Sequence, residues 1–316
     1  MVLDLLVVNV LHGLIAVLWV VGIAHVAAPL SPSTLARLWQ VSLALPVLML
    51  ALRLLGLTPP EHLQLFRAHH LAQALRDLNP AGQTILVLLP AGSASLFVIQ
   101  ELWPLWRRRR GPLHAAELVD PRLDAALARL QPRLTAAGMP PSPLAVHALD
   151  TAAPVAAIQG LLAPRLVLSR GLLDRLDAEE LDATVAHELA HLASGGNRTL
   201  LLVWVLRAVQ ATSPTALLAF RLLCEQRELA CDAWATRVTG DAAALASALL
   251  KVQRQPAPDP GGRVARAREV VLQRADLAAT RARVRTLLDA PIRQPAADAW
   301  VWLGTLALGG LLWTVV

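Results

Sequence analysis

The segment 185–191 reads V-A-H-E-L-A-H and contains residue types that can bind a metal ion and transfer a proton. His187 and His191 are four residues apart, so on a helix both imidazoles lie on one face, one turn apart. Two neutral imidazoles in this arrangement can bind one Zn²⁺ at about 2.0–2.1 Å each. Glu188, next to the first histidine, could then act as the catalytic base that takes a proton from water. For this string alone, the alternative is two packed histidines and a solvated glutamate.

A helix over this segment is predicted independently of the motif. Asp177 can cap its N-terminus, and Glu180, three residues later, completes a capping-box pattern. Gly195 and Gly196 predict the end of the helix just after the second histidine. Apolar residues recur at helical spacing at Leu181, Val185, Leu189 and Leu192.

A third metal ligand is predicted at Glu228, within R-E-L-A-C-D. A helix begins at Ser213-Pro214 and continues through this segment without a breaker, so Glu228 and Asp232 lie one turn apart on one face. Glu228 would be the third zinc ligand, and Asp232 would hold a histidine N–H and thereby fix its tautomer. Three protein ligands leave one position for water, which is the catalytic arrangement. The alternative is a solvated acidic face.

Composition excludes several classes of protein. Hydrophobic residues make up 55% of the 316 residues and the mean hydropathy is +0.50, which predicts membrane spans. Cys224 and Cys231 are the only cysteines, so a disulfide scaffold is excluded. Cys224 is one helical turn before Glu228 and could be a thiolate ligand or a small buried residue. The net charge of +6 comes from arginines at the ends of apolar stretches, which is typical of membrane topology and argues against direct nucleic-acid binding.

Four apolar stretches are long enough to cross a bilayer core of about 30 Å. They are residues 5–27, 38–57, 84–106 and 299–316. Arg107 to Arg110 follow the third stretch directly and predict that this end lies in the cytoplasm. The lipid bilayer is therefore an expected partner, with three spans before residue 111 and one after residue 297, and both termini outside.

The region between the third and fourth spans is predicted to be a water-facing domain with a small β-sheet. Leu144–Leu149 and Arg165–Leu168 are predicted to be strands. Between them, Pro154–Gly160 is predicted to be either an edge strand or part of a buried hairpin. An amphipathic helix is predicted from Leu123, Leu127, Leu130 and Leu134.

Residues 199–220 are apolar but interrupted by Arg207, Gln210 and Pro214. Each half is too short to span a membrane, and an arginine at mid-bilayer would be costly. We predict two helices that lie against or dip into the membrane, with a pair of true spans as the alternative.

H-E-L-A-H followed by Q-R-E-L-A-C-D, in a domain bracketed by hydrophobic spans, resembles the BlaR/MecR-type antirepressor membrane zinc metallopeptidases. The resemblance covers most of the chain, and a wider one connects it to HtpX-type membrane metallopeptidases. It implies Zn²⁺ as cofactor, His187, His191 and Glu228 as ligands, and Glu188 and Asp232 as catalytic residues. It also implies that extended substrate is bound by an edge strand.

The expected fold is mostly α with a small β-sheet: a four-span helical membrane protein with a gluzincin-like zinc metallopeptidase domain inserted between spans three and four. The expected domains are 1–110, with three transmembrane helices, 111–297, the metallopeptidase domain, and 298–316, the fourth helix. The expected location is the bacterial cytoplasmic (inner) membrane, with the catalytic domain facing the cytoplasm.

The resemblance implies a signalling endopeptidase that cleaves itself, a transcriptional repressor such as a winged-helix protein, or both. The receptors also carry a penicillin-binding sensor, whereas these 316 residues contain no S-x-x-K, S-D-N and K-T-G set, so no direct beta-lactam sensing is expected. Two alternatives stay open: an HtpX-type housekeeping protease, and a non-enzymatic membrane scaffold. The oxyanion-stabilising group would be His147, an arginine or a backbone N–H.

Overall fold

The computed structural model describes residues 2–26, 30–64, 73–75, 77–102, 117–118, 120–139, 144–253, 277–289 and 299–315. Within them the chain is mostly helical with one small sheet, as predicted. The chain divides into two compact units. The first comprises Met1–Gly111, Leu201–Arg227 and Gln294–Val316, and the second comprises Pro112–Leu200 and Glu228–Arg293.

The elements are numbered here in chain order. The first three helices are α1 (Val2–Val26), α2 (Pro32–Leu54) and α3 (Pro80–Phe97), which continues as a π-helical turn over Val98–Leu102. Next come β1 (Glu117–Leu118), α4 (Pro121–Ala136), β2 (Ala145–Leu149), β3 (Ala156–Gln159), β4 (Arg165–Ser169) and the single turn α5 (Arg170–Leu173). The remaining helices are α6 (Ala178–Ala193), α7 (Gly196–Val209), α8 (Pro214–Thr239), α9 (Ala242–Gln253), α10 (residues 277–289) and α11 (Ala299–Trp313).

Three of the described helices are long and apolar enough to cross a membrane: Val7–Val26, Pro32–Leu54 and Pro80–Gln100. They coincide with the first three predicted spans. The fourth predicted span corresponds to α11, which has only 15 residues. At about 1.5 Å per residue this helix is about 22 Å long, shorter than a bilayer core of about 30 Å. The four-span topology and the domain boundaries therefore stay predictions.

Arg107–Arg110, which carry the orientation argument, lie outside the described residues. The orientation of the protein in the membrane stays a prediction that rests on the sequence.

In the first unit, a buried arginine explains how the apolar stretch 199–220 accommodates charge. The stretch forms parts of two helices, α7 and α8, that are separated by a turn. Arg207 is only 1% exposed, and its guanidinium lies 5.1 Å from the centre of the Phe97 ring. Its Nη1 donates a hydrogen bond to the carbonyl of Gln210 at 2.9 Å. The charge is thus enclosed by protein atoms, which lowers the cost of placing it in an apolar segment. Whether these helices enter the membrane stays a prediction.

The second unit contains a four-stranded sheet in the order β1-β2-β4-β3. β2 and β4 are parallel, whereas β1 and β3 pair antiparallel to their neighbours. β3 lies within the segment Pro154–Gly160 and is at the edge of the sheet, which supports the edge-strand alternative. Among the described strands it pairs only with β4, from Ala156 opposite Leu168 to Gln159 opposite Arg165.

The core of this unit lies between the sheet and helices α4 and α6. The predicted amphipathic stripe of α4 is buried at Leu123, Leu130 and Leu134, with Leu127 packed against the same cluster. On the sheet side, Leu166 and Leu168 are fully buried. Helix α6 is buried along nearly its whole length, which holds the histidine segment rigidly against this core.

Helix α6 begins and ends as the sequence analysis predicted. The side chain of Asp177 accepts from the Glu180 N–H at 2.9 Å, and the side chain of Glu180 accepts from the Asp177 N–H at 3.0 Å, which completes the capping box. At the other end, Gly195 has φ +97°, a conformation that favours glycine.

The capping glutamate Glu180 also forms an ion pair between α6 and α9. The buried Glu180 carboxylate accepts from the Ser247 hydroxyl at 2.6 Å and from the Lys251 ammonium. Burial alone would raise the pKa of Glu180, but the hydrogen bonds from Lys251, Ser247 and the Asp177 N–H outweigh it and lower that pKa. The carboxylate is therefore ionised at neutral pH, and it depends on Lys251, the only lysine in the chain, for its countercharge.

We expect Lys251→Ala to lower the free energy of unfolding by about 1–2 kcal/mol, because it leaves a buried carboxylate without its cation while solvent screens the half-exposed ammonium. A carboxyl group whose pKa is lowered on folding stabilises the protein above its unfolded pKa, and the stabilisation is lost as the pH falls through the folded pKa. The difference in the free energy of unfolding between wild type and Lys251→Ala should therefore be present at pH 7 and become smaller below about pH 4. Thermal unfolding of both proteins across this pH range checks it, and a difference that persists at low pH contradicts it.

Candidate metal centre

Helix α6 and the part of α8 from Glu228 onward, both in the second unit, bring the predicted site residues together. Helix α6 carries His187, Glu188 and His191, whereas α8 carries Glu228 and Asp232. His187 is 8% exposed and Asp232 only 2%, so both are enclosed by protein.

The three predicted ligands have the geometry of a metal site. One donor atom from each of His187, His191 and Glu228 lies within 4.8 Å of the others. Nε2 of His187 is 3.6 Å from Oε2 of Glu228, and Nε2 of His191 is 3.5 Å from Oε1. Ligands bound tetrahedrally at about 2.0–2.1 Å from one ion are about 3.4 Å apart, so these spacings fit a shared cation. The donor set of two imidazole nitrogens and a carboxylate oxygen fits zinc in its catalytic form.

Asp232 contacts His187 at Nδ1, the ring nitrogen that does not face Glu228. Nδ1 of His187 is 2.9 Å from Oδ1 of Asp232, close enough for an ion pair although short of the alignment of a well-formed hydrogen bond. Burial lowers the pKa of His187, but Asp232 and Glu228 outweigh it and raise that pKa to about 9. A raised pKa means that the His187 ring holds its proton more tightly. A cation bound at Nε2 would have to displace the proton from that nitrogen, so the affinity for metal should rise with pH.

The second histidine has a cysteine as its partner. The Sγ atom of the buried Cys231 is 3.3 Å from Nδ1 of His191. With both Nδ1 atoms occupied in this way, the two Nε2 atoms face Glu228. Cys224, which the sequence analysis left open as a thiolate ligand, is not in the group of donor atoms found among the described residues. Of the two cysteines, Cys231 is therefore the one at the site, where it contacts the predicted ligand His191.

Glu188 is placed and tuned as an acid–base group. Burial raises its pKa, as does the nearby charge of Glu228, against the opposing effects of His187 and a hydrogen bond from the backbone of Ile158. A carboxyl group with a raised pKa is a stronger base than an ordinary carboxylate, which suits a catalytic base that later acts as an acid.

Arg283 of α10 is the functional residue that sequence reasoning missed. Its Nε and Nη2 donate to Oδ2 and Oδ1 of Asp232 at 2.7 and 2.6 Å, and its Nη1 is 3.0 Å from Oε2 of Glu228. Burial alone would raise the pKa of both carboxyl groups. Hydrogen bonds and charge from Arg283 and His187 lower both pKa values, so the carboxylates stay ionised. The only signal in the sequence was the R-A-R-V-R pattern, which does not say which arginine points inward.

The edge strand β3 lies beside the catalytic base. The backbone of Ile158 contributes a hydrogen bond to Glu188, and its carbonyl accepts from Nδ2 of Asn197 at 3.0 Å. The same Asn197 amide donates to the carbonyl of Gly160 at 2.9 Å. Asn197 therefore fixes the end of β3 against the start of α7. His147 lies on β2, which β4 separates from β3.

Comparison with known proteins identifies the family of the chain. The sequence model of the family described as BlaR1 peptidase M56 matches residues 2–269. A comparison with curated proteins gives no match. The matched range contains the three apolar helices α1, α2 and α3 and all of α6 and α8. The chain therefore belongs to the BlaR1 peptidase M56 family, and it is accordingly a membrane-associated metallopeptidase.

Proposed function

We propose that the protein is a zinc-dependent endopeptidase of the bacterial cytoplasmic membrane that cleaves a protein substrate. The observation that carries the proposal is the convergence of His187, His191 and Glu228 donor atoms within 4.8 Å, with Glu188 next to the first ligand. A scaffold protein would have no use for an acid–base group at this position. The family match supports peptide-bond hydrolysis as the reaction.

The chain's own residues divide the catalytic work. A zinc ion held by the three ligands supplies the Lewis acid that polarises the scissile carbonyl and acidifies water. Glu188 accepts the proton of the attacking water and passes it to the departing amine nitrogen, so that the peptide bond breaks as the new C–O bond forms. Asp232 and Cys231 hold the Nδ1 sides of the two imidazoles, which keeps both Nε2 atoms aimed at one point.

Extended substrate would bind along the edge strand β3. The strand pairs with β4 on one side only, and Ile158 at its centre has a backbone hydrogen bond to Glu188. A peptide added to this edge would pass the catalytic glutamate, and it would have to displace the Asn197 amide from the carbonyl groups of Ile158 and Gly160. Recognition of this kind selects an extended or locally unfolded segment of a protein.

We further propose that the substrate is the protein itself, a transcriptional repressor such as a winged-helix protein, or both, because the matching family is that of BlaR1. The catalytic unit would face the cytoplasm, since Arg107–Arg110 follow the third apolar stretch. Nucleic acid would not be a direct ligand, as the arginines cluster beside apolar stretches.

Metal removal tests the proposed reaction. The full chain, purified in detergent, should cut a co-expressed repressor or itself at one site; chelation should abolish the cut, and added zinc should restore it. Magnesium, which prefers oxygen ligands, should not restore it. Cleavage that continues in chelator contradicts a zinc mechanism. Zinc-dependent cleavage of unstructured proteins at many sites would favour a role in protein quality control.

A further inference from the structure

The contacts of Arg283 assign a role to α10 that the family match does not supply, because that match ends at residue 269. The guanidinium contacts two carboxylates that have different roles at the proposed metal site. It holds Asp232, which contacts His187, through two short hydrogen bonds, and it contacts Glu228, a proposed ligand, through a third nitrogen. Its side chain is 18% exposed, whereas its neighbours Arg281 and Arg285 are exposed.

The geometry limits what Arg283 can do. Its Nε, Nη1 and Nη2 each contact a carboxylate oxygen, so every nitrogen of the guanidinium has a protein partner. A planar guanidinium fixes the orientation of the carboxylate it binds at two points, whereas a lysine ammonium supplies a point charge only. Arg283 is therefore suited to aligning Asp232 and Glu228.

We propose that Arg283 is a positioning residue of the metal centre, and that the centre is complete only when α10 is in place. The proposal rests on the proposed zinc-dependent function. Arg283 holds Asp232 against Nδ1 of His187 and keeps Oε2 of Glu228 from rotating away from the imidazoles.

Substitution of Arg283 by lysine and by glutamine tests the role, with zinc affinity as the main measurement. Arg283→Lys keeps the charge and loses the fork, so zinc affinity should fall by at least about 10-fold, the usual cost of losing a group that orients a metal ligand. Arg283→Gln should lose at least as much. The matched controls, Arg285→Lys and Arg285→Gln on the same helix, should stay within about twofold of wild type, because Arg285 is exposed. Affinity is measured by competition with a chelator on the full chain in detergent.

Two other roles for Arg283 give opposite results. If it acts only as a charge, Arg283→Lys will match wild type and Arg283→Gln will bind the dication more tightly, because a repelling cation has been removed. If it contacts substrate, kcat will fall while zinc affinity stays unchanged. Either result overturns the positioning role.

A double substitution and a folding control complete the test. Arg283→Lys should change the logarithm of zinc affinity less than half as much in an Asp232→Asn protein as it does in wild type. The reason is that the carboxylate which Arg283 aligns is already altered in the Asp232→Asn protein. Fully additive effects overturn the proposal. Thermal unfolding identifies any variant that fails to fold, and the milder Arg283→Lys then carries the conclusion. If wild type binds zinc and cleaves but Arg283→Lys is unchanged, only this inference fails; if wild type binds no zinc, the proposed function fails with it.

Discussion

Glu188→Ala is expected to abolish peptide-bond hydrolysis while leaving zinc in place. Burial raises the pKa of Glu188, and Glu188 is not one of the proposed metal ligands. Removing a positioned general base typically costs 10²–10⁴-fold in rate, about 3–5 kcal/mol of transition-state stabilisation. Because both imidazoles and Glu228 are untouched, the zinc content of the purified protein should equal that of wild type.

The measurement compares kcat and bound zinc for wild type, Glu188→Ala and Glu188→Gln. Glu179→Ala is the matched control, since Glu179 is an exposed glutamate in the first turn of the same helix. It should leave both quantities unchanged. A Glu188 variant that still cleaves at the wild-type rate would show that the mechanism is wrong. Wild type that holds zinc but cleaves no protein would favour a scaffold.

Glu228→Ala is expected to remove the metal together with the activity. The variant deletes the only ligand contributed by α8 and leaves two imidazoles on a single helix, which cannot by themselves form a three-ligand site. Loss of a residue that merely orients a ligand costs about 10–100-fold in metal affinity, so loss of the ligand itself should cost more than about 100-fold. Arg283 would also lose one of its carboxylate partners.

Zinc content after dialysis and zinc affinity by chelator competition measure this effect. Glu225→Ala, an exposed glutamate three residues earlier on the same helix, is the control and should bind zinc as wild type does. If Glu228→Ala retains zinc with wild-type affinity, Glu228 is not the third ligand.

Much of the metal centre could be predicted from the sequence because its parts are local. Residues four apart on a helix must share a face, so the pairing of His187 with His191 follows from their spacing once the helix is identified. The helix itself is marked by Asp177 and Glu180, whose reciprocal capping needs only neighbouring residues. The same logic placed Glu228 and Asp232 on one face of α8.

The tertiary structure decided everything that depends on residues distant in the chain. Asp232 and Arg283 are separated by 51 positions, and local pattern does not distinguish Arg283 from Arg281 or Arg285. Of the two cysteines, packing selects Cys231 as the partner of His191, because only the arrangement of α8 against α6 determines which thiol reaches the ring. Hydrogen bonding and burial act through space, so the chain alone specified which groups could do the chemistry, and the fold specified which of them meet.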